Sequence, residues 1–125
     1  SIVAIHDGAR PFASKDMIDK LMNIANDGVG AIPILKITDS IRKKHKLETV
    51  SVDRKQYFAV QTPQCFILKN IQTAYKKMSD LTTTDDASVF EKYGGEIKLI
   101  EGEENNIKIT TKKDFKFLEW LYNDL

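Results

Sequence analysis

The sequence predicts an α/β domain, and three observations carry that prediction. Ile2-Val3-Ala4-Ile5 is an aliphatic run that stops abruptly at His6-Asp7-Gly8-Ala9-Arg10-Pro11. A stretch with helical period follows, in which Ile18, Leu21, Met22 and Ala25 recur at three- and four-residue steps. A second aliphatic run spans Ala31 to Ile37. Strand, helix, strand is the unit that builds a parallel sheet. A chain of 125 residues is one domain's worth, large enough to bury a real core.

Each element has its own justification. Ser14 can cap the first helix, Asp16 favours its N-terminus, and Asn26-Asp27-Gly28 stops it, with Gly28 suited to a left-handed position. Pro33 withholds one ladder hydrogen bond and pushes the second strand toward an edge or an irregular end. From Thr38 to Gln61 the chain is charged and poor in large aliphatics, with β-branched residues in Thr49-Val50-Ser51-Val52. That stretch reads as a polar hairpin arm, marginal alone and in need of a partner surface, which we expect to be the same arm of a second subunit. Thr62 to Phe66 reads as a turn into a three-turn helix carrying Ile67, Ile71, Ala74, Tyr75 and Met78 on one side. Ser79 to Thr83 reads as a surface loop. Thr84-Asp85-Asp86 reads as an N-cap with two first-turn acids, opening a short helix that Gly94-Gly95 ends. Ile97 to Ile100 and Ile107 to Ile109 read as strands, and Thr111 to Asp114 as a capping box with Asp in place of Glu. The last helix is expected to turn Phe115, Leu118, Leu121, Tyr122 and Leu125 inward, with Trp120 at its margin.

Composition excludes several function classes. Nineteen Lys and Arg against 18 Asp and Glu give a formal charge of +1, without the electrostatic footprint of a general nucleic-acid binder. The basic run Arg42 to Lys46 is short enough to be a solvated hairpin tip. One cysteine, Cys65, allows no internal disulfide and no Cys-based zinc site, and it fits a reducing, cytoplasmic setting. No apolar stretch approaches the roughly 20 residues that cross a bilayer, and no secretory leader is visible. His6-Asp7 has only His45 as a further histidine, too few for a phosphohydrolase metal centre. Cys65 lacks His and Asn partners in the pattern of a nucleophile.

Four places put charge or hydroxyls beside turns at strand or helix ends. Asp7 and Arg10 follow the first strand, where open α/β sheets bind ligands. Asp7 could face a divalent metal or sugar hydroxyls, and Arg10 could pair with a phosphate; an Asp-Gly turn with a surface salt bridge explains the same residues. Arg54 follows Asp53 in the arm, where a cross-strand salt bridge is the plainer reading. Thr84 with Asp85 and Asp86 can be a site or simply a helix cap. Lys108 alternates with Ile107 and Ile109, as an exposed edge-strand lysine would.

Taken in order, His6-Asp7-Gly8-Ala9-Arg10-Pro11-Phe12, Val52-Asp53-Arg54, Gln61-Thr62-Pro63-Gln64, Thr84-Asp85-Asp86-Ala87-Ser88 and Glu101-Gly102 with Asn106-Ile107-Lys108-Ile109-Thr110 resemble the 2-C-methyl-D-erythritol 4-phosphate cytidylyltransferase family. A sister family acting on ribitol 5-phosphate shares the Thr-Pro-Gln and Asn-Ile-Lys blocks but tends to lack Val-Asp-Arg and the full Thr-Asp-Asp-Ala-Ser block. The resemblance implies a Rossmann-like three-layer αβα nucleotidyltransferase fold, here partial, with a projecting β-arm near residues 38–61 that joins a homodimer. It implies attack of the acceptor phosphate on the α-phosphorus of CTP, with Mg²⁺ present and pyrophosphate released. In that scheme Arg54 and Lys108 hold the acceptor's phosphate, Arg54 from the neighbouring subunit. Asp7, Arg10, Ser40, Thr62 and Thr84 complete the polyol phosphate pocket, with Ser40 where the family often has a threonine. Asp7 and Gly8 lie on the nucleotide side, and Asp7 is the candidate near the metal. The family's glycine-rich CTP loop has no counterpart in these residues. Residues 1–125 therefore read as the C-terminal portion of a cytidylyltransferase domain, expected to be inactive alone. A non-catalytic dimerisation module is the alternative from a different class.

Overall fold

The structure, a computed structural model, describes residues 1–79 and 85–124. Among these residues, seven strands and four helices run in the order β1 (Ile2–Ile5), α1 (Lys15–Ile24), β2 (Val29–Lys36), β3 (Arg42–His45), β4 (Glu48–Ser51), β5 (Phe58–Val60), β6 (Gln64–Ile67), α2 (Leu68–Lys77), α3 (Asp86–Lys92), β7 (Glu96–Glu101) and α4 (Lys112–Asn123). A 3₁₀ turn, Arg54–Gln56, precedes β5.

The main sheet is layered between helices, as an alternation of side chains dictates. Ala31 and Cys65 face Met17, Leu21 and Ala25 of and beside α1. Their neighbours Ile32 and Phe66 face the other way, onto Ile71 and Ala74 of α2 and Ala87, Val89 and Phe90 of α3. The result is the expected three-layer αβα arrangement with a core on each side of the sheet. Ser14 caps α1 by accepting from the Met17 N–H at 3.1 Å, and Thr111 with Asp114 forms the expected capping box on α4.

The topology corrects the sequence reading in several places. β1 and β2 run parallel but are not neighbours; β6 lies between them, antiparallel to both. The run Gln64–Ile67, expected to be a turn into a helix, is this central buried strand. It passes into α2 without a loop, so its four residues are absorbed in the helical period that begins at Ile67. Pro33 sits inside a central strand, not at an edge. The carbonyl of Pro33 accepts from the Gln61 N–H at 2.9 Å, so the missing N–H of Pro33 points the same way, at the junction where β5 gives way to β6. A cis peptide, Thr62-Pro63, occupies that junction. Parallel pairing is present between β2 and β7.

Residues 107–109 are not a strand; Ile109 donates one backbone hydrogen bond to the Ala9 carbonyl, at 2.8 Å, and no ladder forms. The N-cap of α3 is Asp85, whose Oδ1 accepts from the Ser88 N–H at 2.9 Å, in place of the expected Thr84. Thr84 itself, most of the expected loop 79–83, and Leu125 lie outside the described residues. α4 buries Leu121 alone, while Phe115, Tyr122 and Trp120 (61% exposed) face outward, against the expectation that Phe115 and Tyr122 point in. The segment 38–61 holds a two-stranded hairpin, β3 with β4, that forms its own sheet and is exposed along its whole length. Its final residues, β5, return to pair with β2. Asp53 accepts from the Lys55 N–H and caps the 3₁₀ turn, and among the described residues Arg54 forms no cross-strand salt bridge.

Candidate functional site

The site grows from the end of β1. Once the strand stops at Ile5, the Arg10 N–H donates to the Asp7 carbonyl at 3.1 Å and closes a tight turn. The turn is pinned to the β5–β6 junction: the Asp7 N–H donates to Thr62 Oγ1 at 3.0 Å, and Thr62 Oγ1 lies 2.9 Å from His6 Nδ1. Within the turn, Arg10 Nε meets Asp7 Oδ2 at 3.2 Å.

A third segment completes the cluster. Arg10 Nη1 donates to the Asn106 carbonyl at 2.7 Å, and the Asn106 side-chain amide donates to the Thr62 carbonyl at 2.9 Å and to Gln61 Oε1 at 3.2 Å. Gln61 Nε2 in turn donates to the Glu103 carbonyl at 2.9 Å. Asn106 is wholly buried (0% exposed), and Gln61 nearly so. This amide pair fastens residues 103–108 against the turn and sets Lys108 Nζ 3.9 Å from Asp7 Oδ2. Gly102 permits the approach, because a Cβ there would lie 2.5 Å from Gln61 Oε1 and 3.0 Å from the Ile34 carbonyl.

The two cations of this cluster are not equivalent. Arg10 is enclosed (12% side-chain exposure) and already spends two donors on Asp7 and Asn106, so it braces the turn. Lys108 is 51% exposed and holds its carboxylate only at the edge of contact range. An exposed pair of that kind is worth about 0–1 kcal/mol, little enough for a phosphate dianion to displace. Two cations around one carboxylate leave local positive charge for such an anion.

The structure thus brings together Asp7, Arg10, Thr62 and Lys108. Gly8 lies at the exposed tip of the turn, with open space where a Cβ would be. Ser40 and Arg54 are exposed on the arm, and among the described residues no ion pair or hydrogen bond joins them to the cluster. Thr84 lies outside the described residues. Asp85 is held structurally: burial pushes its carboxyl up, but hydrogen bonds from Ser88 and Gln64 outweigh that and keep it below the ordinary value. Asp86 accepts from the Tyr75 hydroxyl. Burial pushes the Cys65 thiol up to about 11, as befits a packed side chain and not a nucleophile. Gln61 and Asn106 are not singled out by the sequence, although each lies within a block that is, and His6 is weighed there only as a metal ligand. Among the described residues no three metal-ligating side chains converge, and Asp7 Oδ2 is turned to two cations.

Comparison with known proteins bears on the family of the chain and on its fold. A curated 2-C-methyl-D-erythritol 4-phosphate cytidylyltransferase of Geobacillus kaustophilus is 43% identical over 121 residues, covering 94% of this chain and 53% of that protein. A solved 2-C-methyl-D-erythritol 4-phosphate cytidylyltransferase of Thermus thermophilus superposes with a TM-score of 0.86 at 30% identity, covering 98% of this chain and 62% of that one. A 4-diphosphocytidyl-2C-methyl-D-erythritol synthase of Anaerococcus prevotii gives 0.87 at 32% identity, covering 98% and 58%. The chain spans about half the length of the curated relatives it matches. The family model for 2-C-methyl-D-erythritol 4-phosphate cytidylyltransferase matches residues 1–123, and the chain belongs to that family.

Proposed function

We propose that the protein carrying this chain transfers a cytidylyl group from CTP to 2-C-methyl-D-erythritol 4-phosphate and releases pyrophosphate. The observation that carries the reading is the convergence of Asp7, Arg10, Thr62 and Lys108 at a strand end, in a chain of this family. A phosphate oxygen of the acceptor attacks the α-phosphorus of CTP, and the bond to the β-phosphate's bridging oxygen breaks. Positioning and charge neutralisation do most of the work in such a step. Lys108 is the cation available to the acceptor's phosphate, Asp7 and Thr62 face its hydroxyls, and Arg10 holds Asp7 in place. Thr84 and Gly8 complete the polyol and nucleotide sides.

Arg54 and Ser40 act from the arm, in the site of a second subunit. Support comes from the hairpin itself: Leu47 is fully exposed and Val50 half-exposed on a two-stranded ribbon with no core of its own. Such a ribbon is stabilised by burial against a partner. A Mg²⁺ ion supplies charge neutralisation on the triphosphate. Of the carboxylates among the described residues, Asp7 is the one in this cluster that would reach such an ion. The cytoplasm suits a chain whose one cysteine, Cys65, is a buried free thiol. Among the described residues no helix is long and apolar enough to cross a membrane.

The test is acceptor choice. Pyrophosphate release by the full polypeptide should require CTP, Mg²⁺ and 2-C-methyl-D-erythritol 4-phosphate, with kcat/KM at least ~100-fold lower for ribitol 5-phosphate. Preference for ribitol 5-phosphate would transfer the protein to the sister activity, and dimerisation without turnover of either would leave only a dimerisation module.

A further inference from the structure

The Thr62 hydroxyl has one proton and two lone pairs, and its neighbours fix where each goes. Asp7 N–H occupies one lone pair, at 3.0 Å. The other partner, His6 Nδ1 at 2.9 Å, can accept or donate, depending on the tautomer. The far side of the ring decides it. His6 Nε2 lies 2.7 Å from the Arg10 carbonyl oxygen, which can only accept, so Nε2 carries the proton. In the neutral ring Nδ1 is then a bare lone pair, and Thr62 must give it its only proton. One lone pair of Thr62 remains for a ligand.

We infer that His6 is a positioning residue that makes Thr62 an acceptor, so that Thr62 reads a hydroxyl group of the polyol and not its phosphate. A phosphate dianion brings only acceptor oxygens and would meet a lone pair there. A polyol hydroxyl brings the proton that Thr62 lacks. The phosphate is left to Lys108, and the two ends of the acceptor are sorted by groups that meet different atoms of Asp7, Thr62 at its N–H and Lys108 at its Oδ2. This inference rests on the polyol phosphate reading above and adds the orientation of the substrate to it.

The experiment has a spectroscopic and a kinetic arm, both on the full polypeptide. Nitrogen-15 correlation spectra at mildly alkaline pH should show His6 with Nε2 protonated and Nδ1 bare, and Thr62→Val should move the Nδ1 resonance. His6→Phe and Thr62→Val should each raise KM for the polyol phosphate by roughly five- to tenfold, the worth of one hydrogen bond, without raising KM for CTP. The double variant should be no worse than either single one, and His6→Asn, whose amide oxygen can accept from Thr62, should recover most of the loss. An Nδ1-protonated ring, or losses that multiply in the double variant, would overturn the inference. A protein that binds the polyol phosphate without turnover would sink cytidylyl transfer alone, and the dissociation constants of the same variants would then decide on His6. A protein that binds no polyol phosphate would sink both.

Discussion

Asn106 shows how much of the site is a matter of single buried amides. It belongs to no strand or helix, yet it is the most enclosed polar residue of the molecule as described, and it links three segments through Gln61, Thr62 and Arg10. Replacing it by Ala strips donors from buried acceptors, which costs about 1–3 kcal/mol. We expect Asn106→Ala to lower the midpoint of urea unfolding correspondingly; an unchanged midpoint would show that the amide ties nothing together. The resemblance stated from sequence included this residue in a block without giving it a task. The reason is physical: burial of an Asn depends on Gln61, 45 residues away, and no local periodicity records that. Lys108 was legible as a charge between two isoleucines, but its conformation was not, because what orders residues 107–109 is one bond to Ala9 and the amide pair rather than strand pairing.

At the level of elements, caps were the most legible features and short central strands the least. Ser14, Thr111 and Asp114 perform the capping that their spacing predicts, since a cap is decided within four residues. β6 was missed because four residues, three of them buried, that run directly into a helix carry no period of their own. Pro33 misled for a related reason: its missing donor falls at the β5–β6 junction, a feature of topology rather than of sequence. α3 supplies a test. Its cap Asp85 has a carboxyl held below the ordinary range, despite the opposing effect of burial, by bonds from Ser88 and Gln64. A depressed carboxylate contributes stability that is fully present above its unfolded value, ~3.9, and lost as pH falls through the lower folded value. Asp85→Ala should therefore cost about 1–2 kcal/mol in urea unfolding at neutral pH. The difference from wild type should shrink at the acid end, once the native carboxylate is protonated. An equal difference at both pH values would mean that the ionised cap is not what holds α3.

For the whole molecule, the decisive feature is the separation of the arm from the body. The body gathers Asp7, Arg10, Thr62 and Lys108, while Ser40 and Arg54 stand on an exposed segment without a link to them among the described residues. The polar patterning of the arm was legible because an isolated ribbon has no core to shape its composition. Whether it serves the site of a second subunit, as proposed, is not legible there, because one chain's pattern carries no record of a partner. A site shared between subunits requires that two defective proteins repair each other. The direct measurement is pyrophosphate release by Lys108→Ala, by Arg54→Ala, and by an equimolar mixture of the two after subunit exchange. Each variant alone should lose at least ~100-fold in turnover. In a mixed dimer one site then regains both residues, so the mixture should recover about a quarter of the wild-type sites. Near-normal turnover in either single variant, or a mixture no more active than its parts, would contradict the account.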